Sequence, residues 1–378
     1  MNRLLLSLPA IAGVLAVTWY AGLRAGFLLI LGLGFGAALS GAKFGFTTGW
    51  RNLIVQKDPW GMVAQMVLLG LCSLLAFPLL HANPDEIVGA VSPITWALLL
   101  GAVLFGFAMQ LADGCGSGTL YKAGSASPIS WAVLPAFVAG SFVGASHQPG
   151  WESLGGPLSQ PGTSNTVPAI DLLAKFGLTQ ALLFTVAGCL LIAVLSILYS
   201  RRYHSQKGQP LPKVPPRWLW GALFLALLYA VHLVIAGQPW GIVYGLGLWG
   251  AKVVSAVGVD LSQDAFWGAA PHATRITEPL LWDMTSVTNI GLLYGALMAS
   301  RWNLKATSAS ISPALAQFAV SILAGLLMGY ASRMAYGCNV GAYLGGIASA
   351  SAHGWIWLVF AFFGSLIGVR ARQKVGLA

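Results

Sequence analysis

Long apolar runs separated by short polar segments fill almost the whole chain. Nine of them, at about 4–20, 62–81, 94–112, 131–147, 176–200, 217–236, 287–301, 313–333 and 353–370, are of roughly the length that a ~30 Å hydrocarbon layer demands of a spanning helix. The pattern predicts an all-α integral membrane protein with about nine transmembrane helices. Two more apolar stretches, Ala25 to Gly49 and Trp240 to Gly258, are glycine-rich and interrupted by Lys43 and Lys252. A lysine in the middle of a lipid-facing helix is costly, so both stretches read as broken, re-entrant half-helices facing protein or water. A plain span whose lysine snorkels to the interface is the alternative.

Composition agrees with this reading and removes others. Apolar residues make up 57% of the 378 and charged ones 8%, against roughly a quarter charged in soluble domains. The net charge of +10 sits mostly between apolar runs, as at Arg201, Arg202 and Lys207 and in the tail from Arg370 to Lys374. That is the positive-inside pattern and gives no reason to expect nucleic acid as a partner. Assigning Arg201 to Arg217 to the cytoplasm and alternating outward puts Arg24, Arg51, Lys57, Arg301, Lys305 and the C-terminus inside. The segments His81 to Glu86 and Asp260 to Asp283, the loop Ser146 to Asp171 and the N-terminus then fall outside. Four cysteines suggest no disulfide framework, and Cys72 and Cys189 read as small packed hydrophobes. His353 reads as an interfacial residue at the start of the last run.

Internal repetition reorganises the picture. Gly106 to Cys115 (GFAMQLADGC) aligns without a gap with Gly329 to Cys338 (GYASRMAYGC), with seven of ten positions identical or similar. A glycine follows three residues after each cysteine, Gly118 and Gly341, and upstream Leu31 to Phe35 resembles Tyr244 to Leu248. The expected organisation is a first span at 1–24, repeat 1 at 25–147, an external loop and two connecting spans at 148–237, repeat 2 at 238–370, and a cytoplasmic tail at 371–378. With two connecting spans the repeats are inverted in the membrane, the design that places a transport site at the midplane between broken helices.

The chemistry of the repeated motif points to an anion. Glycines flanking a cysteine let backbone approach a ligand closely, and the first N–H groups of a half-helix face anions. A thiol adds a weak donor, a soft polarizable surface and latent nucleophilicity. Together these suit an anion whose recognisable part is sulfur. A metal site is disfavoured because no His, Asp or Glu recurs with the cysteines at ligand spacing, and no cofactor is expected. Candidate substrate-binding residues are Cys115, Cys338, Gly114, Gly116, Gly118, Gly337, Asn339, Gly341, Lys43, Gly45 and Thr47. Arg51, Lys122, Lys252 and Arg333 are further cations that can draw an anion inward.

The motifs Asp113-Gly114-Cys115-Gly116-Ser117-Gly118 and Tyr336-Gly337-Cys338-Asn339-Val340-Gly341 resemble those of the YeeE/YedE family of bacterial and archaeal membrane proteins, which take up thiosulfate or related sulfur compounds. The resemblance runs from about Ala25 to Val369. It implies nine spans plus half-helices in an hourglass shape, in the cell (inner) membrane, with thiosulfate relayed inward past cysteines by transient S–H···S contacts. Cys115 and Cys338 would be the relay thiols, and a small cytoplasmic sulfur-carrier protein a possible partner. One departure stands out: thiosulfate-transporting members carry a further cysteine in the first half-helix, where this chain reads Lys43-Phe44-Gly45-Phe46-Thr47-Thr48, with Gly45 in its place. The function expected is non-enzymatic uptake of a sulfur-containing anion. A membrane sulfurtransferase that forms a cysteine persulfide and a membrane sensor of sulfur compounds are the alternatives.

Overall fold

The computed structural model describes residues 3–158, 167–302 and 315–377; Lys305 and part of the Ser146 to Asp171 loop lie outside them. Among the described residues fifteen α-helices carry the fold: α1 Arg3–Ala21, α2 Leu23–Ala42, α3 Phe46–Val55, α4 Trp60–Ala82, α5 Trp96–Leu111, α6 Gly116–Gly124, α7 Pro128–Glu152, α8 Leu172–Gln206, α9 Pro216–Ala236, α10 Ile242–Ala256, α11 Ala270–Thr277, α12 Met284–Trp302, α13 Leu315–Met334, α14 Gly345–Ile347 and α15 Ala352–Lys374. A π-helical turn, Asn339–Leu344, leads into α14. Among the described residues eight helical stretches are long and apolar enough to cross a bilayer, and two shorter apolar helices accompany them.

Local chemistry sets the helix ends. Thr95 Oγ1 accepts the Leu98 N–H at 3.0 Å to start α5. Asp171 accepts the N–H groups of Leu173 and Ala174 to start α8, satisfying donors that the first turn leaves open. Proline occupies the first position of α7 and α9, where its missing N–H costs nothing.

The core is two matched helix crossings. α5 packs on α15, and α7 on α13. At the first crossing a Cβ on Gly106 would lie 1.9 Å from Ala361 O, and one on Gly364 2.0 Å from Val103 O. At the second, a Cβ on Gly329 would lie 2.3 Å from Phe137 O, and one on Gly140 2.0 Å from Leu326 O. Each pair of backbones therefore touches at two glycines, the close approach that drives helix association where lipid tails are as apolar as leucine. Around this core α2 packs on α9 and α12, and α4 on α8 and α9.

Several expectations change. Ala25 to Gly49 is not a pair of half-helices: α2 runs unbroken for 20 residues, about 30 Å at 1.5 Å per residue. Lys43 is its left-handed C-cap and is exposed, so the lysine never sits mid-helix and no break is needed. Only α3, ten residues long, is a short element there. Arg24 consequently lies beside Asn83, Glu86 and Gly237, donating to Ile235 O at 2.7 Å, across the membrane from Arg51 rather than on its side. The first residues of α1 then share a side with Arg51, not with Glu86. His353 is not interfacial: it is buried, and its Nδ1 lies 2.7 Å from Ser351 Oγ. The stretch Ser146 to Glu152, expected as loop, continues α7.

Candidate functional site

Each motif cysteine lies where a spanning helix stops and a short one begins. α5 closes with Asp113 in the left-handed region at φ 60° and the Gly114 N–H donating to Met109 O at 3.1 Å. α13 closes the same way, with Tyr336 at φ 57° and the Gly337 N–H donating to Ser332 O at 2.8 Å. These are glycine-assisted helix terminations. Gly337 is also sterically required, since a Cβ there would meet Ala342 N at 2.7 Å, and Gly114 is tightly placed, with a Cβ meeting Gly118 C at 3.0 Å. Gly337 adopts φ 147°, a conformation that side chains resist.

The cysteines then cap the next helices in nearly the same backbone geometry: φ −85°, ψ −168° at Cys115 before α6, and φ −95°, ψ −168° at Cys338 before the π turn. No side chain caps either first turn within hydrogen-bond geometry; the N–H groups of Gly118, Val340 and Gly341 face the cysteine sulfurs instead, so sulfur and first-turn donors border the same space. Both thiols are free and buried. They are also neighbours, for a Cβ on Gly116 would stand 3.0 Å from Cys338 Sγ. Gly118 faces the Cys115 sulfur, 3.5 Å from where its Cβ would be, and Gly341 borders open space.

Polar groups without partners gather around the two sulfurs. Asn339 is fully buried, and neither its Nδ2 nor its Oδ1 has a hydrogen-bond partner. The buried Thr47 hydroxyl has the Cys115 sulfur beside it, and the Thr119 hydroxyl, next to Gly114, is buried and unpartnered as well. Tyr343 Oη is a further such atom; its ring stacks on Trp357 at 5.9 Å and meets Phe46 and Trp50 edge-on. Buried polar atoms are nearly always paired, and leaving one unmade costs about 1–3 kcal/mol. Such a concentration fits a site whose partner is a ligand. Thr47 is brought here by α3, whose start is fixed by Gln65 and Gln110. Their amides donate to Phe46 O at 3.2 Å and Thr47 O at 3.4 Å.

Of the residues singled out in the sequence, the structure brings together Cys115, Cys338, Gly114, Gly116, Gly118, Gly337, Asn339, Gly341, Thr47 and Gly45. Gly45 is the N-cap of α3, and a Cβ there would lie 3.1 Å from Thr48 Oγ1 and 3.4 Å from Tyr121 Oη. Lys43 does not join them, being exposed at the end of α2. Lys252 is taken up elsewhere, donating to Ile276 O at 2.8 Å and to Glu278 O. Arg51 and Lys122 instead meet Asp113, together with Arg372. On the opposite side Arg333 lies over the Phe266 ring, 4.6 Å from its centroid, with its Nε unpartnered. There Tyr336 lines a cavity of about 440 Å³ with Thr95, Glu152 and Val167. The sequence reading passed over Tyr121 and Tyr343, although a tyrosine six residues after one cysteine and five after the other was a visible parallel. Among the described residues no group of three His, Cys, Asp or Glu could hold a metal ion.

Known proteins are similar to this chain in sequence. The thiosulfate transporter TsuA of Escherichia coli strain K12 is 25% identical over 375 residues, covering 93% of this chain and 96% of that one. The thiosulfate transporter TsuA of Spirochaeta thermophila is 23% identical over 351 residues, covering 89% and 96%. A probable transporter, YedE of Escherichia coli, matches over 146 residues at 25% identity, or 38% of this chain and 35% of that one. The sequence profile described as sulphur transport covers residues 40–367, and with two cysteine-capped helices meeting inside a bundle of membrane-spanning helices, the chain belongs to the sulphur transport (YeeE/YedE) family of membrane transporters.

Proposed function

We propose that this transporter takes up thiosulfate or a closely related sulfur-containing anion into the cytoplasm, past Cys115 and Cys338. The observation that carries the reading is Asn339, buried beside Cys338 with both ends of its amide unpartnered. An oxyanion accepts from the amide nitrogen, from the Thr47 hydroxyl and from the uncapped N–H groups of the two short helices. The thiols offer weak S–H donors to its terminal sulfur. Side chains already in place lower the cost of ordering on binding, and the surrounding aromatic rings exclude water. The names of the relatives support the substrate class. Gly45 leaves the passage with two thiols, and the Thr47 and Thr48 hydroxyls next to it are the donors that stand in for a third.

The passage lies between two inverted copies of one unit, α1–α7 and α8–α15, wider than the 25–147 and 238–370 expected from the sequence, because the turn after α2 matches the turn after α9 and not one after α10. Helices that correspond run in opposite directions, and each crossing in the core pairs the helix before one cysteine with the helix after the other. Left-handed residues support the correspondence at Lys43 and Gly237, at Asp113 and Tyr336, and at Ala126 and Ala350. The basic segments at Arg201 to Lys207 and at the C-terminus support a cytoplasmic Asp113 side, with Tyr336 then on the entry side.

The test is uptake of ³⁵S-labelled thiosulfate by proteoliposomes. Cys115→Ala and Cys338→Ala are each expected to lower uptake at least tenfold while detergent-solubilised protein stays monodisperse. The mass of the wild-type chain should be unchanged after turnover, since a non-covalent relay leaves no adduct. Wild-type rates from both variants would refute the reading.

A further inference from the structure

Asp113 lies two residues before Cys115, and three cations surround its carboxylate. Arg51 Nη2 is 2.9 Å and Arg372 Nη2 3.3 Å from Oδ1, and Lys122 Nζ is 2.7 Å from Oδ2. The four side chains come from separate parts of the fold: the turn after α5, α3, α6 and α15. They are partly open to water, with about a fifth of the Arg51, Lys122 and Asp113 side chains exposed.

The cluster is well populated but poorly matched. Arg51 Nη2 is buried and meets the carboxylate at 2.9 Å as an ion pair outside hydrogen-bond geometry. Its Nε is committed to Gln110 Oε1 at 3.1 Å. Lys122 also donates to the Asp113 carbonyl at 2.5 Å, and Arg372 Nη1 to Gln110 O at 2.8 Å. A planar carboxylate bears one charge on two oxygens. A tetrahedral oxyanion with two charges presents more acceptors, spread in three dimensions, and matches guanidinium and ammonium donors better. The corresponding residue in the other half of the chain is Tyr336, whose neutral hydroxyl lies 3.3 Å from Thr95 Oγ1. The cations therefore serve one side of the constriction.

We propose that Arg51 and Lys122 form a dianion-binding station beside Cys115, which Asp113 occupies as a resident carboxylate when no substrate is there. A doubly charged, tetrahedral sulfur oxyanion passing the thiols displaces the Asp113 carboxylate from these cations. The return of Asp113 then competes the anion off toward the cytoplasm. This rests on the transport reading above and adds a release step to it. Coulomb attraction at a partly screened site favours the divalent guest over the single charge, while a tethered carboxylate rebinds at high effective concentration. Capture and release are thereby balanced.

The experiment uses the purified full chain in detergent, with thermal unfolding followed while sodium thiosulfate or sodium sulfate is titrated at ionic strength matched with sodium chloride. Asp113→Asn keeps the shape and removes the competitor. It is expected to shift the dianion midpoint at least tenfold lower than wild type and to slow thiosulfate uptake at saturation, and Asp113→Glu should restore both. Arg51→Gln should raise the midpoint at least tenfold, and it decides the question should Asp113→Asn fail to fold. Midpoints equal to wild type in the variants that fold, or stabilisation by chloride as effective as by the dianions, would overturn the station. Failure of the transport reading shows separately, as wild-type proteoliposomes that take up no thiosulfate.

Discussion

The two cysteine-capped helices are a controlled comparison within one molecule. Their backbones nearly coincide: a left-handed residue, a glycine, then a cysteine at ψ −168°. Their side chains do not. Asp113, amid three cations, stands where the other copy has Tyr336, and Gly116 stands where the other copy has the buried, unpartnered Asn339. Backbone shape is what both copies need in order to stop a helix inside the membrane and open its N–H groups. Charge and hydrogen-bond chemistry are what a directional passage must vary from one side to the other. The cations, Arg372 of the second copy among them, gather at the first motif, and the unpartnered amide belongs to the second.

The largest expected effect tests the backbone equivalence. Gly106→Ala and Gly329→Ala each push a methyl into a carbonyl of the crossing helix, at Ala361 and at Phe137. Overpacking of this kind costs about 1–3 kcal/mol. Both variants should lower the unfolding temperature in detergent by several degrees and by similar amounts. A loss at only one of them breaks the equivalence of the crossings.

A smaller effect sharpens the chemical difference. Asn339→Gly gives the second motif the residue of the first and removes a buried amide that has no partner. Stability should hold or rise, because an unsatisfied polar group is gone. KM for thiosulfate should rise roughly tenfold, the equivalent of about 1.4 kcal/mol for one hydrogen bond to the anion. A fall in stability with KM unchanged would make Asn339 a structural residue.

The smallest effect belongs to the Tyr336 side, where α11 sits outside the spanning helices. His272 stacks on Phe266 at 4.1 Å and lies 3.1 Å from Tyr244 Oη. Burial, helped by Arg333 and Arg275, lowers its pKa below the ordinary histidine value of 6.5. The folded state thus favours the neutral ring. As pH falls below about 6.5 the unfolded chain takes up the proton first, so stability should drop by roughly 1–2 °C in unfolding temperature. His272→Phe should flatten that dependence, and an unchanged pH profile in this variant would acquit the histidine.

Much of this could be read in the chain. The membrane setting follows from apolar run length, because a bilayer imposes one length on every spanning helix. The cysteine motifs and their equivalence follow from a gapless alignment in which glycine is demanded by backbone geometry at Gly337. The error at Ala25 to Gly49 came from the same rule applied too locally. A lysine at position 43 looks mid-span when the helix end is unknown, and only the turn at Lys43 to Gly45 shows that α2 had already crossed. Once α2 is a complete crossing, Arg24 and Arg51 separate to opposite sides, which charge counting alone could not reveal.

Sequence by itself thus determined the solvent, the helical class, the repeated motif and the kind of anion that thiols and glycines suit, since each depends on local composition or short spacing. Tertiary structure decided the rest. It brought Cys338 against Gly116 across 222 residues of chain, left Asn339 without a partner, retired Lys43 and Lys252 from the passage, and drew Arg51, Lys122 and Arg372 onto Asp113. Those outcomes depend on which helices cross and at which glycine. The crossing is a property of two surfaces meeting, so neither helix carries it alone.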